Sequence, residues 1–213
     1  PSNIAWHTSH LVNHTNRSKQ PLVLVSDNAV RGGTQVFVYA KDKPGLFADV
    51  VSAFDSKNVN VVDAHIMNTK DGYVIDTFIV LEQDNTIIDS EFRRDEIKHS
   101  LARVISGEQC PSTRQKRVPR QIKQFQIAVN TRFMDAKSTQ RDMLEITALD
   151  TPGLLAKIAE VFKQQNILLY SAKISTIGEK AEDIFKISTS DRKKLDDDQR
   201  NDLTLAIKDA LTQ

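Results

Sequence analysis

A five-residue segment that could bind an anion occurs twice in this chain. Residues 42–46 read Asp-Lys-Pro-Gly-Leu, and residues 150–154 read Asp-Thr-Pro-Gly-Leu. Each segment follows an apolar run and precedes residues with helical periodicity, so each is predicted to join a strand to a helix. Proline has no N–H to donate and glycine has no side chain to block approach. The amides that follow would point off the helix end, where a carboxylate binds well.

The candidate donors are the amides of Gly45, Leu46 and Phe47 in the first copy, with Asp42 at its start. The equivalents in the second copy are Gly153, Leu154 and Leu155, preceded by Asp150. A tight strand-to-helix turn with no ligand would use the same residues, because such a turn pre-organises the helix start. Both interpretations remain open from the residues alone.

Four further polar residues could contact a ligand. Asp76 and Asp183 each share a strand face with a phenylalanine, so their carboxylates could pair with a ligand ammonium or could accept turn N–H bonds. Asn58 and Asn166 end the helices that follow the Pro-Gly segments. Asparagine tolerates the left-handed conformation of a helix cap, and that role competes with ligand contact.

Two other clusters of polar side chains do not lead us to predict a catalytic or metal site. Asp196, Asp197 and Asp198 lie where a last helix begins, and carboxylates there stabilise the helix dipole. No glycine-rich phosphate loop accompanies them, so we predict no catalytic residue. His7, His10 and His14 would share one helix face and could bind zinc, but an exposed remnant of an upstream domain is the favoured explanation, and we predict no metal site.

Composition narrows the class of protein. The 213 residues carry 29 Lys and Arg against 28 Asp and Glu, a net charge of +1, which argues against a dedicated nucleic-acid or membrane-surface binder. No apolar run approaches the roughly 20 residues of a membrane helix. The single cysteine excludes an internal disulfide and favours a cytoplasmic location.

The repeat extends well beyond the Pro-Gly segments. At the same offset Phe54 matches Phe162 and Ala64 matches Ala172, so we predict two copies of one small domain. Each copy reads strand, helix, strand, strand, helix, one strand short of the ferredoxin-like pattern. We expect each copy to take the strand before it, residues 21–25 and 124–129, although 124–129 could instead close the first copy.

The predicted fold class is therefore α+β, with two tandem ferredoxin-like domains whose antiparallel sheets carry helices on one face. Residues 1–20 are expected to be a remnant helix and tail of an upstream domain. The two domains are assigned to residues 21–107 and 124–213, with a basic linker at 108–123. Because the first strand has apolar residues on both faces, we expect the domains to pair or the chain to form a homodimer.

The Asp-x-Pro-Gly-Leu turn in this setting resembles the ACT domain, a regulatory module that binds amino acids. The wider set of motifs resembles the C-terminal tandem ACT region of the bifunctional protein-PII uridylyltransferase/uridylyl-removing enzymes. These motifs are residues 36–39 and 42–48, Asp-Ala-His-Ile at 63–66, Asp-Thr-Phe at 76–78, 119–125, 148–156 and Glu-Asp-Ile-Phe at 182–185.

That resemblance implies a glutamine sensor acting in nitrogen regulation, with the PII signalling protein as partner of the whole enzyme. It also implies that the whole enzyme needs magnesium and UTP, while this segment needs no cofactor and has no catalytic activity of its own. The alternatives are a free-standing ACT regulator that binds amino acids and a structural ACT pair that docks partners without a ligand.

Overall fold

The computed structural model describes residues 20–30, 32–108, 127–134, 141–177 and 179–212. The first repeat consists of β1 (Leu22–Val30), β2 (Gly33–Lys41), α1 (Leu46–Ser56), β3 (Val59–Asn68), β4 (Tyr73–Glu82) and α2 (Glu91–Ile105). The second consists of β5 (Asn130–Met134), β6 (Asp142–Leu149), α3 (Leu154–Gln164), β7 (Leu168–Lys173), β8 (Thr176–Ile177), β9 (Lys180–Ser188) and α4 (Asp197–Thr212). Both repeats have the predicted α+β, ferredoxin-like order.

The two repeats share one continuous antiparallel sheet. Its strand order is β1-β2-β4-β3-β7-β9-β6-β5, and the short β8 pairs with β9. The repeats join where β3 meets β7, with Ala64 opposite Ala172. Because these two alanines occupy equivalent positions in the repeat, their pairing places a pseudo-twofold axis between the domains. The predicted pairing of the domains thus takes place edge to edge within one chain.

Each repeat packs its helices on the sheet through the predicted apolar stripe. In α1 the residues Leu46, Val50 and Phe54 are buried, and α3 buries the equivalent leucine, isoleucine and phenylalanine. Phe54 meets Phe78 edge to face at 5.3 Å between ring centroids, a geometry that aromatic pairs prefer. The same pair recurs in the second repeat at 5.2 Å. The repeated core fixes the position of each Pro-Gly turn.

The extra strand of each repeat lies antiparallel beside the first strand of the repeat, as expected. In the second repeat, however, the assignment to residues 124–129 is wrong: 127–129 form no strand, 124–126 lie outside the described residues, and β5 is Asn130–Met134. Packing against α4 selects this segment. Thr131 hydrogen bonds to Thr204 at 3.1 Å, and the Arg200 guanidinium lies 5.2 Å from the ring centre of Phe133.

The sequence predicts that the outer face of β2 is covered either by pairing of the domains or by a second chain. Phe37 lies on the face opposite Val36 and Val38, yet its exposed fraction is 0% within a single chain. Tyr39, on the same side, stacks on Tyr73 at 5.0 Å. The predicted remnant segment lies outside the described residues except for Gln20, and the linker does so except for Glu108.

Candidate functional site

Two clefts lie between the repeats and are related by the pseudo-twofold axis. Each is formed by the Pro-Gly turn of one repeat and the helix end of the other. Site 1 surrounds the turn of the first repeat, and its lining includes Gly45, Phe47, Asp76, Lys163 and Asn166. Site 2 surrounds the turn of the second repeat, and its lining includes Gly153, Leu155, Asp183, Asp55 and Asn58.

Left-handed glycines shape both turns. Gly45 has φ 77° and Gly153 has φ 81°, a region that residues with a Cβ avoid. Each glycine stands at the N-cap of its helix, and within the described residues no side chain caps either helix. The Pro-Gly turn therefore begins each helix without the side-chain acceptor that usually satisfies the first amides.

The predicted set of donor amides is partly wrong. Leu46 N donates to the Lys43 carbonyl at 3.1 Å, and Leu154 N donates to the Thr151 carbonyl at 3.0 Å, so these amides close the turns. Both leucine side chains are buried in the core. Among the described residues, no acceptor is recorded for the amides of Phe47 and Leu155. The donors that remain at each helix start belong to these residues, to the glycines before them and to Ala48 and Ala156 after them.

A buried carboxyl group lines each cleft. Asp76 is 2% exposed, and its Oδ1 has no hydrogen-bond partner within the part of the chain that the structure describes. Burial raises the pKa of Asp76 to about 8, the negative charge of Asp42 adds to the rise, and a backbone hydrogen bond from Met67 opposes it. An unpaired buried oxygen is costly, so this carboxyl is poised to receive a donor.

Asp183 is the equivalent acid of site 2 and is 1% exposed. Its pKa is raised to about 7, chiefly by burial; the charge of Asp150 contributes to the rise, and a backbone hydrogen bond from Ser175 opposes it. Ser175 N donates to Oδ1 at 3.3 Å. The two acids thus share a position, a buried setting and a pKa near neutrality.

The remaining predicted residues support the turns and the rims. Asp42 is exposed, and its Oδ2 accepts a hydrogen bond from Asn68 Nδ2 at 2.9 Å. The backbone N–H of Asp150 donates to the Glu179 carbonyl at 2.9 Å, which fixes the strand end before the turn. These aspartates stand at the entrance of the clefts and add negative charge near the buried acids.

Asn58 and Asn166 have the predicted cap conformation, and each also lines a cleft. Their φ values are 55° and 53°, so both take the left-handed conformation of a helix cap. Each also lines the cleft of the opposite repeat: Asn166 lies in site 1 and Asn58 in site 2. The domain pairing explains this placement, because it brings the helix end of one repeat to the turn of the other.

Sequence reasoning missed the residues that each repeat contributes to the other cleft. Lys163 lines site 1, and Asp55 occupies the equivalent position in site 2. Asn60, Gln83 and Asn85 add amide side chains to the wall of site 2. Alignment of the two copies could have identified Lys163 and Asp55. They occupy matching positions, carry opposite charges and lie three residues before the predicted cap asparagines.

The acidic run of the last helix has the predicted structural role. Asp196 Oδ1 accepts a hydrogen bond from Gln199 N at 2.8 Å, and α4 begins at Asp197. No group of three or more metal-binding side chains occurs among the described residues, a set that leaves out the three N-terminal histidines. Within that same set, no helix has the length and apolar character required to cross a membrane.

Comparison with known proteins agrees with the resemblance seen in the sequence. The ACT domain family model matches residues 34–93. The chain is 43% identical over 204 residues to a bifunctional uridylyltransferase/uridylyl-removing enzyme of Aliivibrio fischeri. This alignment covers 96% of the present chain and 23% of the relative. The corresponding enzyme of Vibrio cholerae is 44% identical over 200 residues, covering 94% and 23%.

The chain therefore spans less than a quarter of the length of these curated relatives. The second repeat has the same element order as the matched first one and pairs with it about the pseudo-twofold axis. Residues 34–93 thus belong to the ACT domain family, and the chain is homologous over nearly its whole length to a segment of the bifunctional uridylyltransferase/uridylyl-removing enzymes.

Proposed function

We propose that this chain is a regulatory ACT pair that binds an amino acid, glutamine, between its repeats. The observation that carries the proposal is the arrangement repeated in both clefts. A buried carboxyl group lies in the same cleft as helix-start amides that lack acceptors among the described residues. Such a cleft offers a negative group for an α-ammonium and N–H donors for an α-carboxylate.

Side-chain chemistry in site 2 supports an amide ligand. Its wall includes Asn58, Asn60, Gln83 and Asn85. Each of these side chains has an oxygen acceptor and an NH₂ donor, the same pair of functions that the glutamine carboxamide presents. Glutamate would offer acceptors only, and its charge would lose solvation on entering the cleft. We therefore infer a preference for glutamine over glutamate.

The homologous enzymes suggest what the bound amino acid controls. Their name couples uridylyl transfer with uridylyl removal, and we propose that glutamine bound to this segment shifts the balance between the two activities. The protein substrate in this proposal is PII, and the transfer reaction would use UTP and magnesium at a site outside this chain. A cytoplasmic location is inferred from the single cysteine in the sequence.

Titration calorimetry with glutamine, glutamate and alanine tests the proposal. We expect glutamine to bind most tightly, with glutamate and alanine weaker. Asp183→Asn removes a charge-assisted contact to the ammonium, which is worth about 1.5–3 kcal/mol, so glutamine affinity should fall at least tenfold. Asp202→Asn, on the exposed side of α4, is the matched control and should bind like the parent. Equal affinity for all three amino acids, or none for any, would refute the proposal.

A further inference from the structure

The two clefts are not equivalent, although the repeat makes them look so. Lys163, in the last turn of α3, faces site 1, whereas Asp55, in the last turn of α1, faces site 2. In both cases the C-terminal end of the helix lies beside the Pro-Gly turn of the opposite repeat. A reversal of charge at this position changes what each Pro-Gly turn presents to a ligand.

The stem of Lys163 covers the turn of site 1. A methyl carbon built on Gly45 would lie only 2.5 Å from Lys163 Cδ and Cε, far inside normal contact distance. On Gly153 the same carbon would meet nothing closer than Asp55 Oδ2, at 3.7 Å. The space that a ligand carboxylate needs beside the glycine is therefore filled in site 1 and open in site 2.

Lys163 makes a partly exposed ion pair in this position. Its Nζ lies 3.4 Å from Asp49 Oδ1, and Lys43 Nζ lies 3.0 Å from the other oxygen of the same carboxylate. At the positions of the second repeat that correspond to Asp49 and Lys43 stand Lys157 and Thr151. The charges of both partners are exchanged there, because Asp55 takes the place of Lys163 and Lys157 that of Asp49, so opposite charges still face each other. The difference lies in length: the short Asp55 side chain reaches no closer than 3.7 Å to a carbon built on Gly153, and it leaves that turn uncovered.

The sizes of the clefts follow the same difference. Site 1 has a volume of about 270 Å³ and site 2 about 670 Å³, and only the larger falls in the range usual for ligand sites. One wall position also differs in chemistry, since Leu168 of site 1 stands at the position equivalent to Asn60 of site 2. Access and this added amide favour site 2, and they act against the unfavourable charge of Asp55 beside its turn.

We infer that site 2 binds the amino acid and that Lys163 keeps site 1 closed, so that each chain takes up one ligand. This inference rests on the proposed function and assigns it to one of the two clefts. Site 1 retains what the ligand would contact, because Asp76 Oδ1 has no partner within the described residues. Removing the Lys163 side chain should therefore create a second binding site.

Calorimetric stoichiometry of glutamine tests the assignment. The parent chain should bind one glutamine, Lys163→Ala should bind two, and Lys208→Ala, which changes an exposed lysine of α4 outside both clefts, should still bind one. Asp183→Asn should weaken binding at least tenfold, whereas Asp76→Asn should leave the parent's single site unchanged. Asp76→Asn added to Lys163→Ala should return the stoichiometry to one.

The outcomes separate this inference from the function on which it rests. Three results would overturn the assignment while leaving amino-acid binding intact. These are two equal sites in the parent, a single site that is lost in Asp76→Asn and kept in Asp183→Asn, and a single site in Lys163→Ala. Absence of glutamine binding in the parent and in every variant would overturn both the assignment and the proposed function.

Discussion

Glutamine binding should become tighter as the pH rises from 6 to 7.5, because the acid of site 2 must be ionised to pair with the ligand ammonium. The pKa of Asp183 is raised to about 7, chiefly by burial. Below that pH the empty cleft holds a neutral carboxyl, which must lose its proton before an ion pair forms. Binding and proton release are therefore coupled.

The size of the effect follows from this pKa. When the bound-state pKa lies well below 6, the apparent dissociation constant scales as one plus the ratio of protonated to ionised acid in the empty protein. That factor is about 11 at pH 6 and about 1.3 at pH 7.5 for a pKa near 7. Glutamine should therefore bind roughly eightfold more tightly at pH 7.5, a difference of about 1.3 kcal/mol.

Calorimetry at the two pH values, in buffers with different ionisation enthalpies, measures both the affinity and the protons released. Asp183→Asn should bind weakly at both values and should release no proton from this position. The Asp202→Asn control should keep the parent's pH dependence. An affinity that is constant or falls with rising pH in the parent would refute the coupling between Asp183 and the ligand.

Three further perturbations test the structure. The free energy of unfolding should fall as pH rises from about 4 to about 8, because Asp76 stays protonated in the folded state, where its pKa is about 8, and ionises on unfolding. Asp76→Asn should lessen this fall in chemical denaturation. An unchanged pH profile in the variant would contradict the burial of this carboxyl group. Gly153→Ala and Gly72→Ala both place a Cβ at φ near 80° without a steric clash, so each should cost about 1–2 kcal/mol. Only Gly153→Ala should weaken glutamine binding, and equal binding in both variants would count against the turn as a ligand contact. Phe78→Ala should cost about 3–5 kcal/mol, while Phe92→Ala at an 81% exposed position should cost little, as thermal unfolding would show; similar melting temperatures would disprove the core assignment.

The internal repeat made most of the fold predictable. The apolar spacing of Leu46, Val50 and Phe54 identified the first helix, and the same spacing 108 residues later identified the equivalent helix of the second repeat. Asn58 and Asn166 marked the helix ends because the left-handed conformation restricts the choice of residue. Helix periodicity and cap residues depend on neighbours in the sequence, so they can be identified without knowledge of the tertiary structure.

Long-range pairing accounts for what the sequence did not predict. The strand of the second repeat lies at Asn130–Met134, because contacts to Thr204 and Arg200 on α4 select it over the more apolar segment before it. The pairing of Ala64 with Ala172 brings Lys163 and Asp55 into clefts of the opposite repeat. Neither arrangement has a signature within a short stretch of sequence.

The central claim is that an amino acid with a side-chain amide binds between the repeats, and thermal unfolding with saturating glutamine tests it most directly. At about 100 times the dissociation constant, binding to the native state adds roughly 2.7 kcal/mol. For a chain of this size the melting temperature should rise by about 5–11 °C, and glutamate or alanine at the same concentration and ionic strength should give a smaller rise. A rise with glutamine no larger than that with alanine would contradict the account.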